Sequence, residues 1–386
     1  MKKRIAIPFL LVFLVACENT TQQPGPTPQP PEQIVIEGGS VQEPEQEYDP
    51  FVGMVINPLT GMWIDEEYSN RRPMAYVINN LPMALPQSGI SQADIIYEVI
   101  AEGGITRLVA IFTNSTADKI GPIRSTREYF SPLAINHGAV LVHHGGSPSG
   151  YDAIRNMGIQ NLDGMSLEGT IFWRDPVRWN AGGMREHSSY TNQENVLSGM
   201  QTRGFSTESS GVYVFNFFEE HTVPTGFNVG LVDELVLPFS TSHIARFDFD
   251  HESGLFYRYQ RGQAHWDEYT DSQVTVSNII IQQAPMSLVP GDTEGRMNVS
   301  LIGNGSGYLV TAGTYAPITW QRSSANTPTI FLDSQNNPIN LNPGQTWIGI
   351  LGTTSQTQPS FNVIESMDFD EINGINENMT TEGIFA

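Results

Sequence analysis

Arg124, Ser125 and Arg127 stand together in GPIRSTREYF, residues 121–130, two guanidiniums around one hydroxyl. The chain has 41 acidic and 19 basic side chains, a formal charge of −22, so closely placed bases need a reason. Two neighbouring arginines suit bidentate capture of a carboxylate or phosphate. Ser125-Thr126-Arg127-Glu128 also fits a capping box, which predicts a helix that starts there with Ser125 as its cap. A base in the first helical turn opposes the helix dipole, and an anion held at the helix N-terminus removes that conflict. The competing partner for each arginine is an internal carboxylate.

Two further stretches carry candidates. AVLVHHGGSPSGYDAI, residues 139–154, reads as a buried strand, a glycine loop and a helix. Ser147 before Pro148 is an N-cap with proline at the first helical position. Gly146 and Ser147 fall at the carboxyl end of the strand, where ligands of open α/β sheets gather. His143 and His144 point to opposite faces of that strand, so at most one reaches a given site. FWRDPVRWNAGGMREHSSYTNQEN, residues 172–195, gathers Arg174, Asp175, Arg178, Glu186, His187 and Tyr190 among aromatic rings. That mixture suits a polar ligand bordered by ring faces, such as a sugar or phosphate, and Thr191 to Glu194 fits a capping box for the next helix. Farther on, His265 and Asp267 in HWDEYTD are second-region candidates. Gly303, Gly305 and Gly307 precede no helix that would cradle a phosphate, so they read as a turn.

The same inventory excludes other chemistry. Cys17 is the single cysteine, so the chain forms no internal disulfide and offers no second thiol. No pair of histidines has the short spacing of a local metal motif, and no cofactor is expected. Ser149 stands where G-x-S-x-G requires its last glycine, so the hydrolase elbow is missing. Two functions remain. One is a module that binds an anionic or carbohydrate-like cell-envelope component in an Arg/His-lined cleft. The alternative is an envelope hydrolase or transferase acting on a glycan or phosphodiester. There His187 or His143 would be the base, Ser147 or water the nucleophile, and Arg124 and Arg127 the charge stabilisers.

The elements that must position these groups follow from hydrophobic pattern. Lys2, Lys3 and Arg4 precede the apolar run Ile5–Ala16, a signal peptide ending in a lipobox-like Leu14-Val15-Ala16-Cys17. Lipidation of Cys17 would then anchor residues 18–56, a disordered Pro/Gln-rich tether, to the membrane. Without the three bases of residues 2–4 the charge is −25, carried with fifteen arginines and Lys119 as the only bases. Nucleic acid is therefore excluded as a partner. From 57 to 224, MAYVINN, DIIYEVI, TRLVAIF and AVLVHH alternate with helical patterns, which predicts an α/β domain on a mixed or largely parallel sheet. From 225 to 352 strand-like runs follow one another with turns between them, predicting a mostly-β domain. Residues 353–386 carry six acids and no base, and read as a disordered tail.

Several strings in this order resemble one family: NPLTG at 57, ADIIYEVIAEGGITRLVAIF at 93, GPIRSTREYF at 121, HHGGSP at 143, EHSSYT at 186, EGRMNVSLIGNGSGYL at 294 and LNPGQTWI at 341. The chain resembles the YerB lipoprotein family from Asn57 to Ile350. That resemblance implies a lipid-anchored, extracytoplasmic protein of two domains of unknown function, and gives no reaction. It also implies polar signature positions at Arg124, Ser125, Arg127, His143, Gly146, Ser147, Arg174 and His187, with His265 and Asp267 in the second domain. Where the family pattern reads Pro-His-Asn, this chain has Glu186-His187-Ser188.

Overall fold

The computed structural model describes residues 51–209, 211, 215–224 and 231–364 of the 386. Cys17 and the expected signal peptide lie outside the described residues, as does the expected tether up to Pro50.

The apolar runs become strands, and the two halves of the chain share them. A ten-stranded mixed sheet takes five strands from each half. Its first half runs Asn161–Asp163, Val140–His143, Met74–Asn79, Thr106–Phe112 and Ile95–Ile100. The second continues with Thr346–Leu351, Asn278–Gln283, Gly303–Thr311, Thr314–Arg322 and Ile330–Leu332. The join is parallel, with Thr346 opposite Ile95 and Ile350 opposite Val99. Strands 74–79, 95–100, 106–112 and 346–351 are buried on both faces, which is why they read as mostly apolar runs rich in β-branched residues.

A second sheet orders Gln263–Ala264, Leu255–Gln260, Ile244–Asp250, Leu231–Pro238 and Ser360–Ile364. Strands 244–250 and 255–260 alternate buried with part-buried residues, so this sheet offers one face to the core. That face brings Phe247 and Phe256 against Tyr76, Ile96 and Leu108 of the large sheet. Helix α1 (Phe130–Ile135) and helix α2 (Pro148–Met157) cover the other face, with Phe130, Leu133 and Ile154 packed on Val77, Val109 and Ile111. Helices α3 (Gly164–Leu167), α4 (Pro176–Asn180) and α5 (Gln193–Thr202) complete the first half.

The fold therefore has the two expected parts, a mixed sheet with helices and then mostly strands, built edge to edge into one sheet. Several local expectations change. The folded region begins at Phe51 and not near Asn57, because Met54–Ile56 pairs with Trp63–Asp65. The acidic tail is not wholly without structure: Ser360–Ile364 pairs with Leu231–Pro238, and Phe361 stacks on Tyr315 at 4.4 Å. Residues 365–386 lie outside the described residues. No helix starts at Ser125. Helix α1 begins at Phe130 with Tyr129 at its cap, so Ser125 caps nothing and Arg127 lies before the first helical turn. For helix α5 the cap is Asn192, one residue after Thr191, and its side chain accepts from the Asn195 amide. The glycines 303, 305 and 307 lie in a strand, not a turn. A Cβ on Gly307 would fall 2.1 Å from the Ile281 carbonyl oxygen, and one on Gly305 2.6 Å from the Trp320 indole nitrogen. Close approach, not chain reversal, requires Gly305 and Gly307.

Candidate functional site

At the carboxyl ends of strands 140–143 and 161–163 the chain forms an open cavity of about 380 Å³. Its walls come from three segments that backbone hydrogen bonds knit together. Residues 123–126 run beside strand 74–79, with the Arg124 amide donating to Val77 O at 2.8 Å. The turn after strand 140–143 closes on that segment through His144 N to Arg124 O (3.0 Å) and Thr126 N to Gly145 O (2.9 Å). The third wall is the hairpin Trp173–Arg174 with Ser189–Tyr190, whose connection carries helix α4 and the tight turn Arg185–His187. Asp163 holds the floor: its carboxylate accepts from Gly145 N, Met165 N and Tyr151 OH. Gly145, at φ +78°, turns the chain where a side chain would be strained. Gly164 lets the His144 ring approach, since a Cβ there would lie 2.3 Å from its Nδ1.

Four of the anticipated residues meet at this cavity: Arg124, Ser125, His144 and Arg174. Arg124 donates from Nη2 to Glu186 Oε2 at 2.6 Å. Arg174 divides one nitrogen, Nη2, between Glu168 Oε2 (2.8 Å) and His144 Nε2 (2.9 Å). An arginine only donates, so His144 Nε2 is the acceptor, and its proton sits on Nδ1, directed at Ser189 Oγ 2.8 Å away. Burial and the Arg174 charge hold this histidine below its ordinary pKa, so the ring is neutral. Ser125 Oγ donates to His144 O and fixes the turn.

Sequence reasoning missed Met165, Trp179 and Arg185 as cavity walls and named Glu186 only as part of its loop. The last three sit in the aromatic and basic stretch already singled out, so the signal was present at the level of the loop. Met165 had none. Arg185 lies 4.9 Å from the Trp179 ring centroid and has no ion pair among the described residues.

The other candidates are held elsewhere. Arg127 and Arg107 converge on Glu102, with Arg127 Nη2 2.6 Å from Oε2, and all three are at least largely buried. His143 is fully buried, donating from Nδ1 to Gly145 O at 2.8 Å. His187 does not line the cavity: its Nδ1 accepts from Asn79 Nδ2 at 2.7 Å, and burial and Arg124 lower its pKa. Ser147 caps α2 by accepting from Gly150 N, and Gly146 packs on Thr126. Asp175 caps α4, Arg178 donates to Met83 O and Pro86 O, and Tyr190 is buried beneath Lys119 and Arg178. His265 and Asp267 are interior residues tied to Gln87 and to the amides of Gly89, Ser91 and Tyr269. The serine–histidine pairs required for a nucleophile do not form: neither Ser125 nor Ser147 bonds a histidine ring, and His144 donates to Ser189. Among the described residues no three His, Cys, Asp or Glu side chains group as metal ligands.

This geometry separates the two arginines of GPIRSTREYF. Arg127→Gln is expected to cost about 1–2 kcal/mol, because Glu102 keeps Arg107 as a partner but loses a buried charge-assisted bond. Arg124→Gln is expected to change stability by less than about 0.5 kcal/mol, because Glu186 is exposed and stays solvated. Urea denaturation of both variants checks the contrast.

Residues 59–206 match the family model "Protein of unknown function (DUF3048) N-terminal domain", and residues 235–348 match the corresponding C-terminal domain. The chain is 28% identical over 298 residues to the Bacillus subtilis (strain 168) protein named "Putative lipoprotein YerB", covering 76% of this chain and 85% of that protein. Its fold is similar to the crystal structure of YerB protein from Bacillus subtilis, with a TM-score of 0.69 and 27% identity over 79% of this chain and 99% of that one. With both domain models matched in order and the fold shared along nearly the whole solved relative, the chain belongs to the YerB family, whose two domains are of unknown function.

Proposed function

We propose that this protein is a lipid-anchored, extracytoplasmic binding module whose cavity captures the anionic group of a cell-envelope component. The carrying observation is charge: three arginines and one glutamate line the cavity of a chain whose formal charge is −22. Arg124 is paired with Glu186 and Arg174 with Glu168, so the uncompensated charge is that of Arg185, and a basic spot of this kind attracts anions that the remaining acidic surface repels. Arg185 supports the same reading, since it lines the cavity and has no ion pair among the described residues. The lipid anchor is supported by the Cys17 motif and by the printed name of the Bacillus subtilis relative. The mostly-β half supports the site as scaffold, since its sheet continues the one on which the cavity is built.

Calorimetric titration with inorganic phosphate at low ionic strength tests this. Wild type is expected to bind, and Arg174→Gln to weaken binding by about tenfold or more, the loss of a charge-assisted bond. Arg203→Gln, at an exposed position on the far end of helix α5, is expected to leave it unchanged. No heat with wild type, or equal affinity for wild type and Arg174→Gln, overturns the proposal.

A further inference from the structure

The cavity already holds a carboxylate. Glu186 Oε2 lies 2.6 Å from Arg124 Nη2, and Arg124 has no other side-chain partner among the described residues. The glutamate side chain is nonetheless 70% exposed, against 22% for the arginine. One partner is thus fixed in the wall while the other reaches in from water. The turn bearing Glu186 is held without its side chain, by His187 N to Met184 O at 2.9 Å and the Ser188 hydroxyl to Arg185 O at 2.7 Å. The side chain can therefore swing out by its own rotamers without moving that turn. Two further donors are unspent: Nε of Arg124 and Nε of Arg174 are buried without a hydrogen-bond partner.

We propose that Glu186 is a displaceable stand-in for the ligand's anion, and that this makes the cavity selective for phosphomonoester dianions over monocarboxylates. The inference rests on the anion-binding reading above and gives it a ligand class. An entering monocarboxylate would exchange one Arg124–carboxylate bond for an equal one. It would also compete with a tethered group whose effective concentration is on the order of millimolar or higher. A neutral sugar gains nothing from displacing a charge. A phosphomonoester carries about −1.5 to −2 charge near neutral pH and three acceptor oxygens. It can take the place of Glu186 on Arg124 and still offer oxygens to a second guanidinium of the same cavity, Arg174 or Arg185. Of these three, the phosphomonoester alone gains more than the internal carboxylate gives up.

Titration of the whole protein with inorganic phosphate and with acetate, in wild type and Glu186→Gln, tests the inference. Wild type is expected to bind phosphate at least tenfold more tightly than acetate. Glu186→Gln is expected to tighten phosphate about three- to tenfold and to tighten acetate more, so that the preference narrows. Glu194→Gln removes an equal charge at an exposed position outside the cavity and is expected to change neither affinity by more than about twofold. If phosphate binds wild type in an Arg174-dependent way but Glu186→Gln matches wild type, the stand-in role is wrong and the anion site stands. Equal tightening in Glu186→Gln and Glu194→Gln also overturns the inference, because net charge alone then explains it. If neither phosphate nor acetate binds any of these proteins, the inference and the reading beneath it both fall.

Discussion

Glu98→Gln is expected to lower the unfolding free energy by about 3–5 kcal/mol, the cost of stranding one member of a buried ion pair. Glu98 lies on strand 95–100 and is fully buried. Its Oε2 accepts from Arg258 Nη2 at 2.8 Å, and its Oε1 faces His243 Nε2 at 2.9 Å, Thr106 Oγ1 at 2.8 Å and Asn80 Nδ2 at 3.0 Å. Arg258 comes from the second sheet, is fully buried too, and lies 4.3 Å from the Trp347 ring centroid. Glutamine would leave that guanidinium charged, desolvated and without its counter-ion. Arg258→Met in the Glu98→Gln background is expected to recover much of the loss, because no charge then remains to be compensated. Urea denaturation of the three proteins decides the matter, and a loss below about 1 kcal/mol in Glu98→Gln contradicts the account.

The same pair predicts a pH dependence. Burial alone would raise the Glu98 pKa, but Arg258 and the His243 hydrogen bond outweigh it and bring it from 4.5 to about 2. The folded form thus binds this proton less readily than the unfolded chain. The contribution is fully present above about 4.5 and is lost as pH falls from there towards about 2. Glu98→Gln/Arg258→Met is expected to lose less stability than wild type between pH 5 and about 3.

Asp267→Ala is expected to cost about 3 kcal/mol or more, from several buried donors losing one acceptor at about 1–3 kcal/mol each. The carboxylate is fully buried and accepts from Gly89 N at 2.7 Å, Tyr269 N at 2.9 Å and Ser91 N at 2.7 Å. It binds the segment before strand 95–100 to the hairpin Trp266–Asp267/Ser272–Gln273, a tie between the two halves. Asp267→Asn keeps one acceptor oxygen and is expected to lose less than the alanine variant. Thermal melts rank the three proteins. Equal stability of Asp267→Ala and wild type would show that water or a shifted backbone satisfies those amides.

The strands were legible because burial on both faces leaves mostly apolar β-formers, as in MAYVIN and IIYEVI, where Asn79 and Glu98 are the buried polar exceptions. How the halves combine was not. Strand 346–351 pairs with strand 95–100 across some 250 residues, and no local pattern encodes a partner that distant. Ser125-Thr126-Arg127-Glu128 misled for a related reason: its hydroxyl and arginine found partners at His144 and Glu102, and those contacts outweigh local capping propensity. Phe361 was hidden in an acidic tail whose average composition conceals one short strand. At the cavity, Arg124 and Arg174 were found because basic residues are rare in this chain and its arginines cluster between 71 and 185. Choosing among the histidines needed tertiary structure, since His143 and His144 differ only in which way one strand faces.

The cavity between Arg124 and Arg174 is the proposed anion site. Anomalous diffraction at the arsenic edge from crystals soaked in arsenate, a phosphate analogue, tests it most directly. The account predicts a peak inside the cavity within hydrogen-bond reach of both guanidiniums, with Glu186 turned away from Arg124. Crystals that show arsenic only at other surface arginines, with the Arg124–Glu186 pair intact, would contradict it.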